Sequence, residues 1–114
     1  MDDNVVSLLP DIVDSGRDID RLKEALGEIC RGYHIRRLLV FGSAIHGTRT
    51  PSSDLDVIAE FQPGNTPGFA FARIAEELSA LFECTVDLHT ARSLSRYFRD
   101  HVLREAKVLY ACEE

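Results

Sequence analysis

Residues 36–61 read RRLLVFGSAIHGTRTPSSDLDVIAEF, and the fold turns on how this stretch divides. Arg36-Arg37-Leu38-Leu39-Val40-Phe41 is a short run of strand-forming residues stopped by Gly42. Asp54 to Phe61, DLDVIAEF, is a second strand pattern. Side chains alternate faces along a strand, so Asp54 and Asp56 share one side while Leu55 turns to the core. A polar loop containing Gly47, Pro51, Ser52 and Ser53 joins the strands.

The flanking segments supply helices. Upstream, Ile19, Leu22, Leu26, Ile29 and Cys30 recur at spacings of three and four, which makes one apolar stripe. Asp18 stands at the N-cap of that helix, and Gly32 stops it. Downstream, residues 62–68 form a turn-rich loop with two prolines. Residues 69–82 then read as a helix, with Phe69, Ala72, Ile74, Ala75, Leu78, Leu81 and Phe82 on its buried side. Thr85-Val86-Asp87-Leu88 is a compact third strand, and residues 94–103 return to helical spacing. The apolar tail, residues 106–111, suits either a short strand or the end of a helix. Residues 1–17 suit a short helix or a loosely held arm. The order α-β-β-α-β-α predicts an α/β (α+β) fold, a small mixed sheet with helices packed on it. With 114 residues the chain has room for a single domain, residues 1–114.

Composition narrows the function. Apolar residues make up 45% of the chain, enough for a core without disulfide or metal staples. No apolar stretch approaches the ~20 residues that cross a bilayer, and the acidic start MDDNVVSLLPDIVD lacks the basic opening of a secretory signal. Three widely spaced cysteines, Cys30, Cys84 and Cys112, read as reduced thiols, which points to the cytoplasm. The net charge of −6 argues against a protein that grips a long polyanion, so no direct nucleic-acid contact is expected. Arg92, Arg96, Arg99 and Arg104 gather near the end of the chain, either as a solvated helix face or as a partner or phosphate contact.

Three features carry chemistry. Asp54 and Asp56, on one side of a strand, are roughly 6.5–7 Å apart at Cα and can share divalent cations. Gly42-Ser43, directly after a strand, exposes backbone N–H groups that suit phosphate oxygens, with the serine hydroxyl as a further donor. Asp87 lies between Val86 and Leu88, which face the core, so its carboxylate turns the other way. Taken singly, each has a plainer reading: a polar turn into a strand, an ordinary Gly-Ser turn, an edge-strand aspartate. Together they are the parts of a two-metal phosphoryl-transfer site, provided that the Asp87 strand pairs beside the Asp54–Asp56 strand. A Ser43, His46, Asp54 hydrolase triad is a poorer reading, because nothing orients the histidine. His34, His46, His89 and His101 have no zinc-like spacing with the cysteines and read as surface or interface residues.

The stretch FGSAIHGTRTPSSDLDV resembles the signature of the DNA polymerase β-like nucleotidyltransferases, in which Gly-Ser and Asp-x-Asp are separated by ten residues. With the downstream VDL, the chain is similar to the minimal nucleotidyltransferases, including antitoxins of the MntA type. The resemblance implies that Gly42 and Ser43 hold the β,γ-phosphates of ATP. It further implies that Asp54 and Asp56 ligate two Mg²⁺ ions, and that Asp87 completes one metal site and activates the acceptor hydroxyl. It also implies transfer of AMP to a tyrosine of a HEPN-type, HepT-like toxin, with that partner or further copies of the chain completing the site. Ala44 and His46 stand where the family often has arginines, and Arg49 is the nearest substitute. The alternatives are nucleotidyl transfer to a small hydroxyl compound such as an aminoglycoside, and a non-catalytic module that neutralises a partner by contact.

Overall fold

Helix α1 (Ile19–Gly32) begins where the Asp18 side chain accepts a hydrogen bond from the backbone N–H of Arg21, at 3.2 Å. It ends at Tyr33, after which His34 takes a left-handed φ of 60° to swing the chain into strand β1 (Ile35–Phe41). Strand β2 (Leu55–Phe61), helix α2 (Ala70–Phe82), strand β3 (Val86–His89), a 3₁₀ turn (Ala91–Ser93), helix α3 (Arg96–Glu105) and strand β4 (Lys107–Ala111) follow. This is a computed structural model, and it describes residues 18–42, 54–64 and 67–111. The N-terminal residues 1–17 and the loop with Ser43, Ala44, His46 and Arg49 lie outside the described residues.

The four strands form one mixed sheet in the order β3-β2-β1-β4. β1 pairs antiparallel with both β2 and β4, whereas β2 and β3 run parallel across the α2 connection. The tail is therefore a strand. Its apolar run did not choose between strand and helix because both sides of β4 are covered, Leu109 on one and Val108 on the other. A register shift opposite Leu38/Leu39 makes Leu109 an extra residue, and Leu109 and Tyr110 both enter the same cluster.

Alternation along the strands sorts the core into two layers. Leu38, Val40, Leu55, Val57, Val86 and Leu109 face α1 and α2, where Leu22, Leu26, Cys30, Ile74, Leu78 and Phe82 meet them. Leu39, Phe41 and Ile58 face the other way and are covered by Leu94 and by Val102 of α3. One expectation fails on α2. Phe69 is fully exposed and Ala72 is exposed, because the helix starts only at Ala70 and its inward stripe is Ile74, Leu78, Phe82 at every fourth residue. Helix α3 also starts two residues later than the periodicity suggests, capped by the Ser95 hydroxyl, which accepts from the Phe98 N–H at 3.2 Å. Arg92, Arg96 and Arg104 are exposed, and Arg99 is turned in to donate to the Leu94 carbonyl at 3.3 Å. Among the described residues, no helix is long and apolar enough to cross a membrane.

The cap on α1 gives a direct test of the local reading. Asp18→Ala should cost about 1 kcal/mol of unfolding free energy, the usual value of an N-cap acceptor. Asp18→Asn, which keeps the acceptor, should stay close to the parent in urea denaturation. An equal loss in both variants would mean that the carboxylate acts by charge rather than as a cap.

Candidate active site

The sheet sets the acidic residues side by side. In the ladder, Asp56 of β2 is registered against Phe41 of β1 on one side and Asp87 of β3 on the other. Leu55 and Val57, its neighbours in sequence, are fully buried on the opposite face. Asp56 therefore emerges on the face that carries Phe41 and Ile58, with its side chain 29% exposed. Leu55 donates its N–H to the Thr85 carbonyl at 2.8 Å, which ties the start of β2 to β3 and fixes this register. Asp54 is exposed at the residue before β2 and adds negative charge next to Asp56.

Gly42, immediately after β1, comes against the same carboxylate. Its φ is +75°, and a Cβ placed on it would lie 2.7 Å from Oδ2 of Asp56. Only a residue without a side chain lets the turn backbone approach this closely. Ser43 lies outside the described residues.

His89 completes the group. It follows Asp87 by two residues in β3 and so shares its face. Its Nε2 lies 3.3 Å from Oδ2 of Asp87 and 3.9 Å from Oδ1 of Asp56. The imidazole also packs at a tilt against Phe41, with ring centroids 5.6 Å apart. One donor atom from each of Asp56, Asp87 and His89 falls within 4.8 Å of the other two. Burial pushes the Asp56 carboxyl above the ordinary carboxylate range, the Asp87 charge raises it further, His89 opposes that rise, and Asp54 adds to it. A half-buried carboxylate beside two others lacks positive charge, and a divalent cation would supply it. Hard oxygen donors at this spacing suit such an ion.

The structure thus brings Gly42, Asp56 and Asp87 together, with Asp54 at their flank, and adds His89. The signal for His89 was present in the sequence, as the second member of an Asp87-x-His89 alternation on one strand. Spacing from the cysteines does not reveal it, whereas spacing from Asp87 does. A cleft of about 570 Å³ lies on the side of the sheet covered by α1 and α2 and is lined by Ala25, Glu28, Ile29, Gly32, Tyr33 and Glu77. None of the acidic group reaches it, and there the Tyr33 hydroxyl donates to Glu77.

A small mixed sheet with aspartates registered across a parallel strand pair, beside a glycine turn, has the make-up of a nucleotidyltransferase domain. Residues 24–114 match the polymerase beta nucleotidyltransferase family, and the chain belongs to it. A Methanocaldococcus jannaschii protein with the provisional name protein adenylyltransferase is 33% identical over 63 residues, which span 54% of this chain and 63% of that relative. A solved structure provisionally described as a minimal nucleotidyltransferase is 34% identical, with a TM-score of 0.64 over 82% of this chain and 98% of its own. A chain of the complex between tri-AMPylated Shewanella oneidensis HEPN toxin and its MNT antitoxin shares the fold. Its TM-score is 0.57 at 19% identity, over 82% of this chain and 72% of that one.

Proposed function

We propose that this protein transfers AMP from ATP to a hydroxyl of a partner protein, and that the partner is a HEPN-type, HepT-like toxin which it counteracts as an antitoxin. The observation that carries the reading is the register that sets Asp56 beside Asp87 with the Gly42 turn against Asp56. Gly42 and Ser43 hold the β,γ-phosphates through backbone N–H groups and the serine hydroxyl. Asp54, Asp56 and Asp87 hold two Mg²⁺ ions, which when bound neutralise charge on the triphosphate and on the reacting oxygens. Asp87 has the more exposed of the two cross-strand carboxylates, 55% against 29% for Asp56. That exposure supports Asp87 as the group that takes the proton from an incoming hydroxyl. The hydroxyl oxygen bonds to the α-phosphorus, the α–β phosphoanhydride bond breaks, and pyrophosphate leaves.

The relative named as a protein adenylyltransferase and the tri-AMPylated toxin complex support a protein acceptor. The net charge of −6 supports a catalyst that handles one nucleotide without binding a nucleic-acid strand. The widely spaced cysteines support the cytoplasm as its location. The test is incubation with α-³²P-labelled ATP and Mg²⁺, with a HEPN-type partner and with an aminoglycoside in parallel, followed by gel autoradiography for the protein and thin-layer chromatography for the small molecule. The expected result is label on the partner. A partner that is neutralised without label would replace this reading with a contact-only module, and label found only on an aminoglycoside would replace the acceptor.

A further inference from the structure

We infer that His89 is a third ligand, with Asp56 and Asp87, to a divalent ion, and that it tilts this site from Mg²⁺ toward Mn²⁺ and similar ions. The inference rests on the proposed metal site and goes beyond it by changing the donor set.

Three observations carry it. First, alternation along β3 puts His89 on the face of Asp87, and the parallel register puts Asp56 beside Asp87, so three strand residues converge without help from a loop. Second, Nε2 is the atom that faces the carboxylates, at 3.3 and 3.9 Å, and the donor atoms of the three residues span no more than 4.8 Å. Third, the imidazole is 26% exposed and rests against Phe41, which is itself 8% exposed. A ring held on a strand and against a buried aromatic loses little freedom when it takes a ligand, which favours binding over a free surface histidine.

The consequence follows from ligand chemistry. Carboxylate oxygens suit Mg²⁺, Ca²⁺ and Mn²⁺ alike, whereas imidazole nitrogen is a poor partner for Mg²⁺ and an accepted one for first-row transition ions, least strongly for Mn²⁺ and more so for Co²⁺ and the ions after it. A set of two carboxylates and one imidazole therefore gains affinity for Mn²⁺ or Co²⁺ that it does not gain for Mg²⁺.

The experiment uses the full chain loaded with Mn²⁺ and examined by pulsed EPR, alongside calorimetric titration with Mn²⁺ and with Mg²⁺. In the parent protein a ¹⁴N modulation from a directly bound imidazole is expected. In His89→Gln that modulation should vanish and the Mn²⁺ dissociation constant should rise about 10-fold or more, the loss that follows even when an outer partner of a metal ligand is removed. The Mg²⁺ constant should move by no more than about 2-fold. His89→Asn serves as a second variant if the glutamine fails to fold, with near-ultraviolet dichroism as the criterion. Bound Mn²⁺ without ¹⁴N modulation, or equal losses for both ions, would overturn the role of His89 and leave the carboxylate site standing. No binding of either ion to the parent protein, with or without ATP, would overturn both.

Discussion

Asp56→Asn should abolish nucleotidyl transfer while leaving the protein at least as stable as before. Asp56 is the hub of the acidic group: it is registered against Asp87, touched by the Gly42 turn and within 3.9 Å of His89. Asparagine keeps its size but removes the charge that holds a cation and offers an N–H₂ where an acceptor is needed. Metal stabilisation of a transferring phosphoryl group is worth several kcal/mol, so the rate should fall by about 10³-fold or more. The fold, by contrast, gains from the change. Without metal, a half-buried carboxylate beside Asp87 and Asp54 is repelled by both, and the amide relieves that crowding. Label transfer from α-³²P-labelled ATP and thermal unfolding in EDTA would be measured on the same preparations. Activity within tenfold of the parent would remove Asp56 from the centre of the reaction. A lower melting temperature would mean that the carboxylate is structural.

The conflict between charge and packing that underlies both expected effects is what made the candidate site readable in the sequence while parts of the fold were not. Asp54-Leu55-Asp56 breaks an otherwise apolar strand with charges that serve no core, and residues that conflict with local packing mark function. Period-two alternation then predicted which side chains turn inward: Leu55 and Val86 are buried, and Leu88 is partly buried against the same cluster. The pairing of β2 with β3 could be stated only as a condition, because register is a property of two strands and a single pattern does not fix it. The ends of elements were harder to place. Phe69 joined the helical stripe on apolarity alone, yet it lies outside α2 and is fully exposed. In β4, KVLYA is apolar on both sides of the strand, so its periodicity was silent between strand and helix. His89 required the same alternation that placed Asp87, carried two residues further.

Gly42 was legible as a turn, but its contact with Asp56 is tertiary and leads to the second large effect. Gly42→Ala should lower stability by about 1–2 kcal/mol, since an L-residue at its φ of +75° is strained. It should also lower transfer by about 10²-fold, because the new methyl group meets Oδ2 of Asp56 at 2.7 Å and the carboxylate must shift. The two causes are separable within this protein. Gly64 has nearly the same backbone, φ +79°, but an added Cβ there meets nothing within 4 Å. Gly64→Ala should therefore show the stability loss with parent-like activity, whereas Gly42→Ala should show both. Urea denaturation and label transfer on the pair decide the matter. If Gly42→Ala loses stability and keeps its rate, the glycine serves only the turn. If both variants lose rate alike, backbone strain rather than the approach to Asp56 controls the site. Loss of rate in Gly42→Ala alone would leave the 2.7 Å approach as the cause, and the turn after β1 would then be part of what holds the Asp56 carboxylate in place.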